Sequence, residues 1–134
     1  MINFNLIKNI KSFYVNICTM KSFGKLIKEL REKEAWPQRK LASELDIDVA
    51  VLSRIENENK FPKKRVPEII SKISELFGIS EDELKQCYLS DEIASILAYE
   101  ENYESILKVS EAKVNYVRKV NIKQSEISFD NGSN

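Results

Sequence analysis

The 134 residues include no histidine. That absence removes the commonest general base, the Ser-His and Cys-His nucleophile pairs, and every Cys/His zinc pattern. Asp, Glu, Lys or Tyr chemistry stays open in principle. However, the paired carboxylates Glu81-Asp82 and Glu100-Glu101 are adjacent in sequence at expected helix starts, where capping accounts for them. No catalytic residue, metal-ligand set or cofactor is expected. Cysteine is scarce: Cys18 and Cys87 are the only two, and they form no CxxC pair. A disulfide between them is chemically possible, but a chain with a full core and two lone cysteines reads as reduced and cytosolic. No run of eighteen apolar residues exists, so no membrane-spanning helix is expected. In residues 1–19, Lys8 and Lys11 precede a short apolar stretch broken by Asn16, with no small-residue cleavage site after it. Export is therefore not expected, and the expected location is the cytoplasm.

A surplus of one charge is also lacking. Lys plus Arg number 21 and Asp plus Glu number 21, a formal net charge of zero. Taken alone, that balance argues against a nucleic-acid partner. The charge is not evenly spread, however. Residues 1–79 carry 15 basic and 10 acidic side chains (+5), and residues 80–134 carry 6 and 11 (−5). A basic half precedes an acidic half.

With only three Pro and three Gly, the chain has little to interrupt helices, and helical spacing fills the gaps. Phe23, Leu26, Ile27 and Leu30 mark a first amphipathic helix. Pro37 and Gln38 open a short second helix carrying Leu41, Ala42 and Leu45. Asp48 is a good N-cap for a third helix with Val51, Leu52 and Ile55 on its apolar face. A fourth runs from about Val66 to Phe77 and stops at Gly78. Ser80-Glu81-Asp82-Glu83 is a capping box that starts a fifth. Beyond Ser90 the chain reads helical to about Lys119 with a break near 100–102, and from Asn121 a frayed tail is expected. No alternating strand pattern of useful length occurs in residues 20–119. The fold class is all-α.

In residues 37–62, PQRKLASELDIDVAVLSRIENENKFP, only Asp46 and Ile47 separate two short helices. That is too tight for an antiparallel hairpin and sets the helices at a steep angle, the helix-turn-helix arrangement. Residues 21–85 resemble the lambda-repressor-like and Cro-like (xenobiotic-response-element) helix-turn-helix regulators. The resemblance is carried by Phe23, Gly24, Ile27, Leu30 and Arg31, then by Gln38, Leu41, Ala42, Leu45 and Ile47. It continues through Leu52, Ser53, Arg54, Ile55, Glu56, Asn57, Lys60 and Pro62 to the closing segment Leu76–Leu84. It implies a five-helix DNA-binding domain over 20–89 with a recognition helix at 48–56. Two departures stand out: Asp46 occupies the turn position that is usually Gly, and Glu56-Asn57-Glu58 replaces the usual Glu-Asn-Gly.

A helix in the major groove presents its N-terminal residues to base edges, which here are Val49, Ala50, Ser53 and Arg54. Val49 and Ala50 can read only shape or a thymine methyl. Arg54 can fork onto guanine, with phosphate contact or plain solvation as its alternatives. Gln38, Arg39, Asn57, Lys60 and Lys63 are the phosphate candidates among a wider set that also holds Lys40, Lys64 and Arg65. The resemblance further implies a structural ion pair between Arg31 and Glu56. Trp36 reads as core or as a brace at the corner between the first two helices.

Residues 90–120 carry an apolar stripe, Ile93 through Val120, that either packs back on the core or dimerises; dimerisation is the expectation, because a two-fold protein suits a palindromic operator. Residues 1–19 form an extension to a pattern that begins just after Met20, where translation could equally start; 121–134 is expected to be flexible. The expected partners are double-stranded DNA, a second copy and, through the acidic C-terminal part, a further protein. Two rivals to a dimeric repressor are an antitoxin, with residues 90–134 neutralising a toxin, and an interaction module that has lost DNA binding.

Overall fold

The structure, a computed structural model, describes residues 18–131, with side chains described to residue 125. The expectations for residues 1–17 lie outside the described residues. After helical residues 18–20 come α1 (Phe23–Lys33), α2 (Gln38–Leu45), α3 (Val49–Glu58) and a 3-10 turn (Lys63–Arg65). Then follow α4 (Val66–Phe77), α5 (Glu81–Leu97) and α6 (Tyr103–Asn131). No strand occurs among the described residues, and the class is all-α as read from the sequence.

The helix ends follow local chemistry. The Ser22 hydroxyl accepts the Lys25 N–H at 3.2 Å and caps α1. Gly78, at φ 69°, turns the chain out of α4. The Ser80 hydroxyl accepts the Glu83 N–H at 3.2 Å and starts α5. Asp48 holds the N-cap position of α3, but its side chain makes no capping hydrogen bond. The helix starts from the Asp48 carbonyl, which accepts the Leu52 N–H at 3.1 Å, and it runs two residues beyond the expected end at Glu56.

The chain divides into two compact units, the first ending at Ala94 and the second beginning at Ser95. In the first, Phe23, Ile27, Leu41, Leu45, Leu52, Ile55, Ile69, Ile73 and Leu84 are fully buried. Phe23 stacks on Phe61 with centroids 5.1 Å apart, and Tyr88 meets Phe61 edge-on at 5.5 Å. These rings close the end of the core where α5 packs.

Three sequence expectations are corrected. Cys18 and Cys87, read as unpaired and reduced, form a disulfide with Cα atoms 5.4 Å apart. Folding brings the residues just before α1 onto the buried face of α5, a juxtaposition that a separation of 69 residues conceals. The boundary expected between residues 89 and 90 falls inside α5, because Leu89, Ile93 and Ile96 keep helical spacing with no breaker between them. The tail expected to fray from Asn121 continues as helix to Asn131, since no Gly or Pro intervenes before Gly132. In the second unit no residue of α6 is buried among those whose side chains are described: Tyr103, Leu107, Val114 and Val117 are each 42–52% exposed.

Candidate nucleic-acid interface

The geometry of this region starts at the turn between α2 and α3. Asp46, which departs from the glycine expected from the resemblance, adopts the left-handed conformation, φ 54° and ψ 49°. Asp is one of the few residues that enter this region at modest cost. The turn closes with the Ile47 N–H donating to the Ala42 carbonyl at 3.0 Å. Arg65 then reaches back from the 3-10 turn. Its guanidinium donates to the Asp46 and Leu45 carbonyls at 3.2 and 3.3 Å, placing positive charge on the negative end of α2. With Nε also donating to Glu68 at 2.7 Å, Arg65 is occupied with bracing the turn.

Two features hold α3 against α1. Gly24 lies under the Ile55 carbonyl, and a Cβ built there collides with that backbone oxygen. Only glycine permits the approach. About two turns further along α1, Arg31 forks onto Glu56, with Nε to Oε1 at 2.6 Å and Nη2 to Oε2 at 3.0 Å. The Glu56 side chain is 0% exposed and that of Arg31 10%. Arg31 Nη1 also donates to the Trp36 carbonyl at 2.6 Å, and Gln38 Nε2 donates to Glu56 Oε2 at 3.0 Å. The hydrogen bond to Glu56 raises the Arg31 pKa above its ordinary value, outweighing the opposing effect of burial, with the Glu56 and Glu32 charges adding to it. One buried cluster therefore ties α1, the corner at Trp36, the start of α2 and the end of α3 together. Trp36 packs on Phe77 at 5.8 Å, and the Lys40 ammonium sits 5.0 Å above its ring. Trp36 acts as a corner brace.

With Leu52, Ile55 and Glu56 buried, the opposite face of α3 points outward. Val49, Ala50 and Arg54 are exposed and Ser53 is half-buried, and all four share that face. The Asn57 amide donates to the Ser53 hydroxyl at 3.1 Å, joining Asn57 to the same surface. The Arg54 guanidinium lies along its own helix, with Nε 3.4 Å from the Ala50 carbonyl, a weak contact that a stronger acceptor can displace.

The flanking cations differ in availability. Lys40 pairs with Glu44 at 3.6 Å, and Lys60 lies 3.9 Å from Glu58, offsetting the acid that replaces the usual glycine. Arg39, Lys63 and Lys64 are exposed and have no ion pair among the described residues. Gln38 gives one amide hydrogen to Glu56, and the Lys40 N–H in the first turn of α2 donates to the Pro37 carbonyl at 3.0 Å.

Sequence reasoning missed four positions. Arg65 appeared as one more surface cation, and Gly24 as a motif letter without its steric role. Asn59 takes the left-handed position, φ 55°, that the absent glycine would fill one residue earlier; an Asn just beyond the helix is the signal that could have revealed it. Asp91, more than thirty residues away, accepts from Asn59 and from the Phe23 N–H, and no local pattern announces it.

No helix among the described residues is long and apolar enough to cross a membrane. No curated protein and no solved structure matches the chain at a significant level. A family model for a helix-turn-helix domain does match, over residues 24–90, from the glycine beneath Ile55 to one residue short of Asp91. The chain belongs to the helix-turn-helix domain family, in the manner of the lambda-repressor-like and Cro-like regulators.

Proposed function

We propose that this protein is a sequence-specific DNA-binding transcriptional regulator, acting as a dimeric repressor on a palindromic operator and without enzymatic activity. The observation that carries this reading is the α3 surface. Val49, Ala50, Ser53 and Arg54 face outward while the opposite side of the helix is fixed by Gly24 and the Arg31–Glu56–Gln38 cluster. A helix held this rigidly can present base-reading groups without paying to order them on binding. Arg54 reads guanine, Val49 and Ala50 contact thymine methyl groups, and Ser53 adds a hydroxyl. Gln38, Arg39, Asn57, Lys60 and Lys63 hold the phosphates on either side.

Dimerisation is assigned to the exposed apolar side chains of α6, where a second copy places two reading heads on two half-sites. A DNA-binding role fits a cytoplasmic location. The same exposed residues support one further reading, an antitoxin whose α6 receives a toxin. An intact mass of the purified complex separates a second copy from a foreign chain.

The test is binding to duplex DNA from upstream of its own gene across a salt series, with Arg54→Ala and Gln38→Ala beside wild type. Affinity is expected to fall with salt by a log–log slope of about −0.9 for each phosphate contacted. Arg54→Ala is expected to relax base preference by about 1–3 kcal/mol at one position, and Gln38→Ala to weaken binding evenly across sequences. Wild type that recovers no preferred duplex from a random pool leaves only an interaction module.

A further inference from the structure

The end of the recognition helix is attached to something outside the helix-turn-helix. At Asn59 the chain leaves α3 in the left-handed conformation, and its N–H closes on the Ile55 carbonyl at 3.1 Å. Its side chain then bridges in two directions. Oδ1 accepts the Gly24 N–H at 2.9 Å, and Nδ2 donates to Asp91 Oδ2 at 3.1 Å. The same Asp91 oxygen accepts the Phe23 N–H at 2.7 Å. One carboxylate on α5 thus takes donors from the first turn of α1 and from the residue that ends α3. Both bonds are charge-assisted, and the α1 amides lie at the positive end of that helix. One turn earlier on the same face of α5, Cys87 pairs with Cys18 just ahead of α1. The helix is therefore fastened to this corner at two successive turns.

The consequence for reading DNA follows from the geometry. Gly24 and Arg31–Glu56 fix how closely α3 lies against α1, but both act through the side that faces the core. Asn59 sits at the C-terminal end of α3, where its contacts to Gly24 and Asp91 bear on the tilt of the helix and so on where its outward face points. We propose that Asp91 is a positioning residue for sequence discrimination: through Asn59 it sets the angle at which α3 presents Ser53 and Arg54. The proposal rests on the DNA-binding reading above and adds a residue outside the matched helix-turn-helix.

The experiment uses the full chain and two duplexes, one recovered by selection from a random pool and one scrambled, at two salt concentrations, with melting recorded for each variant. Asp91→Ala is expected to weaken binding to the selected duplex about tenfold while leaving the scrambled duplex unchanged, because phosphate contacts do not depend on the angle. Asp91→Asn keeps a carbonyl acceptor for both donors and is expected to restore most of the discrimination. Asn59→Gly keeps the left-handed turn without the side-chain bridge; it is expected to match Asp91→Ala and to add nothing to it in the double variant. Asn59→Gly keeps the test decisive if Asp91→Ala fails to fold. Variants that melt lower yet keep the wild-type ratio between the two duplexes overturn the positioning role while leaving DNA binding intact. A wild type with no preference between the duplexes overturns both.

Discussion

In the unit ending at Ala94, helices turn their apolar faces inward: Phe23, Ile27, Leu52, Ile55 and Ile73 have no exposed surface. In α6, of 29 residues, the apolar side chains Leu107, Val109, Val114, Tyr116 and Val117 remain 42–69% exposed. Both regions are helical, but for different reasons. Core burial and three interlocking polar contacts define the first, whereas α6 depends on propensity and on whatever covers its stripe. Helices stabilised only by propensity are marginal in water, which is why the proposed dimer interface is sought on this exposed stripe. One unit is thus internally braced, whereas the described side chains of the other stay in contact with solvent.

The sharpest way to break that contrast is at the polar cluster. Removing one partner of a buried pair leaves the other charge desolvated and unpaired, so Glu56→Ala is expected to destabilise the protein by about 3–5 kcal/mol. Denaturant unfolding followed by the Trp36 fluorescence, which reports on the first unit, measures it. Gly24→Ala strains the same contact by forcing a methyl onto the Ile55 carbonyl, at about 3 kcal/mol. A loss below about 1 kcal/mol for either would mean that the unit owes its rigidity to the apolar core alone.

Next in size is the disulfide. Closing a loop of 69 residues restricts the unfolded chain, and loop-entropy arguments put the benefit at up to about 4 kcal/mol. Cys87→Ser, or addition of a reductant to wild type, is expected to lower the stability of the first unit and to leave α6 helicity unchanged. Melting followed at Trp36 and by far-ultraviolet circular dichroism separates the two regions. An unchanged Trp36 transition under reductant would show that the core and the Asp91 contacts suffice to hold α5.

These two tests also mark where the sequence was legible. Periodic apolar residues and end signals identified α1 to α5, though not the helical residues 18–20 or the 3-10 turn, because burial of one face leaves a spacing that survives in the letters. Asp46 was readable as a turn for a related reason, since few residues tolerate its conformation. The Cys18–Cys87 pair and Asp91 were not readable. Their meaning depends on α5 returning to the start of α1, and nothing local to residues 87–91 encodes that return. The continuation of α6 through Asn121 was missed because Asn and Ser suggest termini, while the absence of Gly or Pro decided the outcome.

Substitution on α6 sharpens the comparison from the other side. Val114→Lys with Val117→Lys leaves the first unit untouched, so Trp36 unfolding is expected to shift by no more than about 0.5 kcal/mol. The effect belongs to assembly: sedimentation is expected to report a monomer in place of a dimer, and affinity for a two-half-site duplex to drop toward that of one half-site. A dimer that survives both lysines would move the interface off this stripe.

The smallest expected effect is on pH. With no histidine, nothing in the chain has an ordinary pKa between about pH 5 and 8 apart from a chain terminus. Among the described residues two groups have clearly altered pKa values, and both are raised: Arg31 by its hydrogen bond to Glu56, and Tyr88 by burial with a contribution from the Glu92 charge. A group with a raised folded pKa contributes stability that is complete below its unfolded pKa and lost as pH climbs above it. For Tyr88 that loss begins above the ordinary tyrosine value of 10.0, and for Arg31 further into alkali. Unfolding free energy and DNA affinity are therefore expected to stay level from about pH 6 to 8, and stability to decline in alkali through the first unit, where both groups lie. A titration step near neutrality in the Trp36 transition would place a perturbed acid in that unit. The same step seen only in sedimentation would place the acid outside that unit.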